Sequence, residues 1–193
     1  MFKVLDEVCE PKRSTKYSAY VDLFSAEDII IGAGETKIVK LGVKLDLEKL
    51  CKILYDVSYS YILKSPNKHL REDFDIFRKK HYLEVALRSS LGVKGLIIAN
   101  GIGVIDLDYP DEIGLIVHNP IKDIAFNVPN GNSFKISKGD KVAQCTLKEH
   151  KGFLMGYESD NVRVGGFGST DKESHISNIL DDLPDYFKCN ELN

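Results

Sequence analysis

Asp106 lies beside a predicted tight turn in the middle of this sequence, where a carboxylate could act as a base. Residues 98–119 contain two runs of β-branched and apolar side chains, which predict two strands. The segment between the runs, 108–111, reads Asp-Tyr-Pro-Asp and is typical of a turn, so the stretch predicts a hairpin. Backbone amides would line a pocket in such a hairpin, with Asp106 and the flat ring of Tyr109 at its mouth. This stretch alone is equally consistent with an ordinary hairpin that has a polar tip.

Residues suited to binding phosphate follow a predicted strand at residues 82–86. Arg88 is followed by Ser89 and Ser90. A guanidinium donates two parallel hydrogen bonds, and hydroxyls and backbone amides suit the oxygens of a polyphosphate. The triplet alone says little, because such triplets are common on protein surfaces. Gln144, in a predicted strand at 142–147, is either a satisfied strand amide or a ligand contact.

A glycine-rich segment near the C-terminus, residues 163–170, could close over a ligand. Its three glycines surround one aromatic residue, Phe167, and allow the backbone to approach a ligand closely. Phe167 could cover a flat base, while Ser169 and Thr170 could donate hydrogen bonds to a terminal phosphate. A flexible tail would show the same glycines, but a central aromatic between Arg163 and a Ser-Thr pair is less expected there.

Five segments, in order, resemble the five motifs of the trimeric dUTP diphosphatases (dUTPases), and the resemblance covers residues 15 to 171 except for one internal segment. The five segments are 18–26, 88–92, 103–109, 139–144 and 163–170. The resemblance implies an all-β fold of the distorted jelly-roll or β-barrel type. It also implies a homotrimer that hydrolyses dUTP to dUMP and pyrophosphate. In such a trimer, motifs one, two and four come from one subunit, motif three from a second and the C-terminal arm (residues 160–171) from a third.

The resemblance also implies roles for individual residues. Asp106 would activate water for attack on the α-phosphorus, and Gln144 would face the phosphates and that water. Mg²⁺ would be carried by the triphosphate and its waters, and Asp22 would support the site without binding the metal directly. No cluster of Asp, His or Cys at metal-ligand spacing is visible in the sequence, which agrees with a metal that the substrate brings.

Further substrate contacts follow from the same resemblance. Backbone groups around residues 104–106 would read uracil with Asn100 and Gly114, and a narrow pocket would reject the thymine methyl group. Tyr109 would pack against deoxyribose and leave no room for a 2′-hydroxyl. The expected binding residues are Arg88, Ser89, Ser90, Asn100, Val104, Ile105, Asp106, Tyr109, Gly114, Gln144, Arg163, Phe167, Gly168, Ser169 and Thr170.

Three positions depart from the family pattern or separate it from a sister family. Tyr20 and Ser90 stand where the family usually has glycine. With Ser90, the second motif resembles the Arg-Ser-Ser-Leu of the dCTP deaminases. Those enzymes have a catalytic glutamate at the position of Ile116, and isoleucine has no group that transfers a proton. A dCTP deaminase is therefore the less favoured alternative.

The segment that the resemblance does not cover, residues 48–81, predicts a mostly helical insertion. Apolar residues recur at helical spacing before residue 55, and do so again after Ser65-Pro66, which suits a helix start. A segment this long is expected to be structured. It is either a packed surface decoration, or a lid or docking site for a macromolecule. The latter supports a second hypothesis, a nucleotide-sensing interaction protein that acts through the insertion.

The whole chain sets further bounds. Its 193 residues predict one domain at 1–171, followed by an acidic tail at 172–193 to which we assign no role. A net charge of −3 gives no field for holding nucleic acid. No apolar run reaches membrane-spanning length, and the N-terminus lacks signal-peptide order. The four scattered cysteines are typical of reduced thiols. We therefore expect a cytoplasmic protein, in the host cytoplasm if the source is viral.

Overall fold

The computed structural model describes residues 1–121, 132–156, 163 and 165. Within these residues, short strands form four antiparallel sheets. The strands are β1 (Phe2–Val4), β2 (Val21–Phe24), β3 (Ile29–Ile31), β4 (Thr36–Lys40), β5 (Val43–Leu45), β6 (His81–Leu87), β7 (Ile97–Ile98), β8 (Gly103–Asp106), β9 (Gly114–His118), β10 (Phe134–Ile136) and β11 (Lys141–Glu149). The helices are α1 (Leu47–Tyr55), α2 (Tyr59–Lys64), α3 (Lys68–Lys80) and α4 (Ser89–Gly92).

The sheets face a shared hydrophobic core, which we call the main core. The largest sheet has the order β2-β11-β6-β8, and a second has the order β4-β9-β7. β1 pairs with β5, and β3 pairs with β10. Alternating side chains of β6, Leu83 and Val85, point into the main core with Ile105 of β8 and Cys145 of β11. The mostly β architecture confirms the predicted all-β class.

The hairpin predicted within residues 98–119 is wrong in its strand pairing. β8 pairs with β6, whereas β9 pairs with β4 and β7 in a different sheet. Residues 107–113 therefore cross from one sheet to another. Alternation of apolar residues predicts that a segment is a strand, but it contains no information about which strand is its neighbour.

Three helices form the insertion, in agreement with the helical prediction for 48–81. Each begins at a polar cap: the side chains of Asp46, Ser58 and Asn67 accept hydrogen bonds from backbone amides in the first turn. The third helix therefore starts after Asn67 rather than at Ser65-Pro66. The short α2 was not predicted, because its six residues are too few to show helical periodicity.

In the described part of the chain, no helix is long and apolar enough to cross a membrane. Cys9, Cys51 and Cys145 are buried and carry free thiols. Cys189 and the whole of the tail lie outside the described residues, as does the arm apart from Arg163 and Gly165.

Candidate active site

Asp22 organises the first part of the candidate site, a group that we call the Asp22 cluster (Ser14, Asp22, Arg88 and Lys141). Asp22 lies on β2 and is only 2% exposed. One carboxylate oxygen accepts a hydrogen bond from Nη1 of Arg88. The other accepts one from the Ser14 hydroxyl and lies 3.0 Å from Nζ of Lys141. The cluster thus joins residues of the first, second and fourth motif segments, or next to them, around one buried negative charge.

The surroundings of Asp22 keep its carboxylate ionised. Burial by itself raises the pKa of Asp22, but hydrogen bonds from Ser14 and Lys141 and the charge of Arg88 outweigh it, so the pKa lies below its usual value. Two cations held by one carboxylate leave a net positive charge at this end of the sheet. The Arg88 side chain is 28% exposed, so part of its guanidinium remains accessible to a ligand while Nη1 is bonded to Asp22. The cluster therefore has the charge and the donors to bind an anion.

Strand register brings Gln144 to the same cluster. On β11, Gln144 lies opposite Asp22 of β2 on one side and opposite Ala86 of β6 on the other. Residues opposite each other in an antiparallel pair project from the same face. Ser89 and Ser90 begin α4 directly after Arg88 and are exposed. The structure thus gathers the predicted phosphate-binding residues of motifs two and four beside Asp22.

Asp106 occupies a very different environment at the end of β8. Its side chain is 61% exposed, and Nη1 of Arg163 lies 2.7 Å from its Oδ2. The same guanidinium lies 3.8 Å from a carboxylate oxygen of Asp108 and 5.1 Å from the ring centre of the buried Tyr109. Two carboxylates and one aromatic face explain why a cation binds here. The arm residue Arg163 therefore contacts motif three of its own chain, whereas the resemblance implied that these two motifs come from different subunits.

The two parts of the site lie far apart within one chain. Asp106 is opposite Tyr82, Tyr82 is opposite Lys148, and Lys148 is four residues from Gln144 along β11. Strand spacings of ~4.8 Å and rises of ~3.4 Å per residue put Asp106 about 17 Å from Gln144 and roughly 20 Å from Asp22. A single nucleotide phosphate cannot contact both Asp106 and the Asp22 cluster of the same copy.

The remaining predicted base-binding residues lie in or next to β8 and at the start of β9, with different exposures. Asn100 and Val104 are exposed, while the side chain of Ile105 is buried in the main core, so only its backbone is available to a ligand. Gly114 begins β9 in the second sheet, opposite Lys40. Four predicted arm residues lie outside the described residues: Phe167, Gly168, Ser169 and Thr170.

A second polar cluster on the large sheet was missed at the sequence level. Glu84 of β6 is 8% exposed and accepts hydrogen bonds from the hydroxyls of Tyr20 and Tyr82. Donation to Glu84 raises the pKa of Tyr20 to about 12, and the same bond lowers the pKa of Glu84. Tyr20 therefore replaces the usual glycine with a phenol that satisfies a buried carboxylate. The signal was Glu84 itself, a charged residue between the apolar residues Leu83 and Val85 of a predicted strand.

The described residues contain no group of three or more His, Cys, Asp or Glu side chains placed to hold a metal ion. The buried carboxylate nearest the predicted phosphate site, Asp22, is already bonded to two cations. This donor set suits the oxygens of a phosphate, and it is compatible with a metal ion that arrives bound to that phosphate.

Comparison with known proteins adds an independent line of information. A family model described as dUTPase matches residues 55–171. The chain is 30% identical over 169 residues to the deoxyuridine 5′-triphosphate nucleotidohydrolase of Variola virus, with 83% of this chain and 84% of the relative covered. Its fold resembles that of the dUTPase from phage phi11 of S. aureus, with a TM-score of 0.55 and 19% identity over 86% of this chain and 96% of the other. A variant of the phage phi11 protein, with a TM-score of 0.54 and 19% identity over 86% of this chain and 97% of the other, shows the coordination of a structural Mg(II) ion.

Proposed function

This chain belongs to the dUTPase family, and on that premise we propose that it hydrolyses dUTP to dUMP and pyrophosphate at sites shared between copies of the chain. The observation that supports this most strongly is the arrangement around Asp22. A buried carboxylate there fixes an arginine and a lysine in a cluster with net positive charge. Such a preorganised cationic group suits the phosphates of a nucleotide.

The phosphates would bind at the Asp22 cluster. Asp22 holds the Arg88 guanidinium in one orientation, so little side-chain entropy is lost when the phosphate binds. The hydroxyls of Ser89 and Ser90 would donate to further phosphate oxygens. Gln144, on the same face of the sheet as Asp22, would orient the attacking water together with the phosphate.

Asp106 would serve as the general base. Its exposed carboxylate would take a proton from a water molecule while the water oxygen forms a bond to the α-phosphorus. The bond from that phosphorus to the bridging oxygen would break, and pyrophosphate would leave with the bonding electron pair. Asp106 is suited to this role because its side chain is accessible and its charge is balanced by Arg163, which lies on the arm and can leave.

Selectivity for deoxyuridine would come from the segment around β8. The exposed start of that strand and Asn100 would present backbone and amide groups to the uracil edge, with Gly114 at the other side. Tyr109 would pack against the sugar. Because cytosine presents the opposite donor and acceptor order, it would leave polar groups unpaired in the same pocket.

We further propose a homotrimer, because the two halves of the site are too far apart to act within one chain. A symmetric assembly would bring Asp106 of one copy to the Asp22 cluster of another. In this arrangement, Arg163 would leave Asp106 when nucleotide binds, and the rest of the arm, with Phe167, Gly168, Ser169 and Thr170, would close over the substrate. We also propose that the domain ends at residue 171 and that the acidic tail, residues 172–193, is separate from it.

Mg²⁺ would be held by the triphosphate and its waters, next to the Asp22 cluster, rather than by a protein cage. When bound, it would neutralise phosphate charge and help to align the leaving pyrophosphate. The role of Asp22 would be to hold Arg88 and Lys141 rather than to coordinate the ion.

Pyrophosphate release from dUTP, dCTP, dTTP and UTP, measured with and without Mg²⁺, tests the proposed function. We expect rapid release from dUTP alone, with a strong dependence on Mg²⁺. Conversion of dCTP to a deaminated product would favour the sister family instead. The structure gives that alternative little support, because Ile116 lies opposite Ile38 in the β4–β9 ladder and supplies no acid.

A second candidate function uses the outer surface of the insertion, as an interaction site for a regulatory protein. It is favoured by exposed apolar side chains on the helices: Ile53, Tyr61, Leu63 and Ile76. Affinity capture with the wild-type protein and with an Ile53→Gln, Leu63→Gln variant would test this idea. A partner retained by the wild type and lost by the variant supports it, and identical captured proteins argue against it.

A further inference from the structure

Leu107 lies between two exposed aspartates, Asp106 and Asp108, yet it is only 3% exposed. Its side chain does not join the main core, which takes its neighbours Ile105 and Tyr109. It belongs instead to a second cluster, which we call the insertion core, whose other buried members come from the helices. They are Leu50, Cys51, Ile62 and Phe74.

A second connection links the same helices to the same segment. α3 ends at Lys80 and β6 begins at His81, so no linker separates them. The His81 ring stacks on Phe77 at 4.1 Å between ring centres, and its Nδ1 lies 2.8 Å from the Phe77 carbonyl oxygen. The next residue, Tyr82, pairs with Asp106 across the sheet. The position of α3 therefore determines the position of Tyr82, the residue that pairs with Asp106.

From these two connections we infer that the helical insertion positions Asp106 for catalysis, and that Leu107 is the residue through which it does so. Leu107 follows the last residue of β8 and lies in a turn, which the Tyr109 N–H closes by donating a hydrogen bond to the Asp106 carbonyl oxygen at 3.0 Å. Burial of Leu107 in the insertion core therefore fixes the backbone immediately after Asp106, whose own side chain is exposed. Ile105 and Tyr109 hold the segment at either side through the main core, but the two residues that flank Asp106 directly pack on different cores. This inference rests on the proposed role of Asp106 as the base.

The consequence is that packing inside the insertion controls the geometry of the base. A general base must lie within hydrogen-bond reach of its water, and a displacement of about 1 Å can cost on the order of 100-fold in rate. Loosening Leu107 should therefore reduce kcat more than it weakens nucleotide binding, since the phosphates bind at the distant Asp22 cluster, and Ile105 and Tyr109 on the nucleoside side are held by the main core.

The test is Leu107→Ala, with Leu107→Met as the conservative variant and Ile53→Ala, at an exposed position of α1, as the matched control. All are assayed well below their melting temperatures. We expect Leu107→Ala to lower kcat by at least tenfold and to change the affinity for a non-hydrolysable dUTP analogue by less than about threefold. Leu107→Met should recover kcat to within about twofold of the wild type, and Ile53→Ala should leave it unchanged.

Phe74→Leu provides a milder change in the insertion core if Leu107→Ala does not fold. Phe74 is almost fully buried and contacts the rings of Tyr55 and Tyr59. A lowered kcat with retained binding supports the inference. A folded Leu107→Ala or Phe74→Leu variant with wild-type kcat would overturn it. Failure of the proposed function would look different, because Asp106→Asn would then retain activity or the wild type would not hydrolyse dUTP.

Discussion

The Asp22 cluster and the segment around Asp106 both contain an aspartate that contacts an arginine, but they differ in almost every physical property. Asp22 is buried and bonded to three side chains, whereas Asp106 is exposed and pairs with Arg163 of the arm. Buried charges are stable only when they are fully paired, so the first arrangement is held in one geometry. An ion pair whose carboxylate is exposed to water is weaker and more readily exchanged.

This difference matches the two tasks that we assign to the regions. A phosphate-binding group gains affinity when its donors are fixed before the ligand arrives. A base has to exchange its partner for water and substrate in each turnover. In this assignment, buried contacts fix the phosphate-binding residues of the Asp22 cluster. The proposed base, Asp106, remains accessible on a segment whose backbone is held by Leu107 and Ile105.

The sharpest way to separate the two regions is Asp106→Asn. Because a general base contributes about 10²- to 10⁴-fold, we expect kcat to fall within that range while the melting temperature changes little. The control is Asp111→Asn, which removes an exposed carboxylate from the same connecting segment. Steady-state kinetics and thermal unfolding measure both effects, and unchanged turnover would remove Asp106 as the base.

Asp22→Asn, in contrast to Asp106→Asn, should cause a large loss of unfolding free energy. The change leaves Arg88 and Lys141 close together without their buried counter-charge, and breaking such a group costs about 3 kcal/mol of unfolding free energy. Asp56→Asn is the control, because it disrupts an exposed ion pair with Lys52. Denaturant unfolding would measure the change, and equal losses for both variants would contradict the assigned role of Asp22.

The pH dependence of the unfolding free energy should also report on the buried charge of Asp22. The pKa of Asp22 is lower in the folded state than in the unfolded chain. Its contribution is therefore present above the unfolded pKa of about 4, and it is lost as the pH falls through the folded pKa. The stability difference between the wild type and Asp22→Asn should shrink as the pH is lowered from 7 towards 3. A difference that stays constant over this range would show that Asp22 acts through its shape and not its charge.

The smallest effect is expected for Arg163→Gln. The ion pair of Arg163 with Asp106 has an exposed carboxylate, so its loss should cost less than about 1 kcal/mol of unfolding free energy. Lys52→Gln removes an ion pair with the same 2.7 Å distance and serves as the control. Unfolding at low and high salt would compare the two variants. A loss as large as that of Asp22→Asn would mean that the Asp106 region is as rigid as the Asp22 cluster.

Much of the fold was predictable from sequence, because it depends on local patterns. Helices α1 and α3 of the insertion follow from apolar spacing, and the strands around Arg88 and Gln144 follow from alternation. The connection between β8 and β9 was predicted incorrectly as a hairpin, since a pattern of alternation does not identify the partner strand. That choice depends on which sheets close over the core.

From the sequence, candidate site residues can be proposed where the ordered segments resemble the dUTPase motifs. Arg88, Asp106 and Gln144 are proposed in this way. Leu107 could not be, because a leucine side chain has no group that indicates a role at a site, and its burial depends on helices distant in the sequence. Tyr20 was recognised as unusual, but its partner Glu84 lies 64 residues away and only the fold brings them together.

The most direct test of a site shared between copies uses two inactive variants in one assembly. Asp106→Asn and Arg88→Gln would be co-expressed with different tags, and the mixed oligomers would be purified through both tags. If one copy supplies Asp106 and another supplies Arg88, every mixed trimer has one site of three that combines two intact halves, so the purified mixed trimers should show about a third of the wild-type activity. Mixed oligomers as inactive as either parent would contradict the account, and would show that both residues act from the same chain.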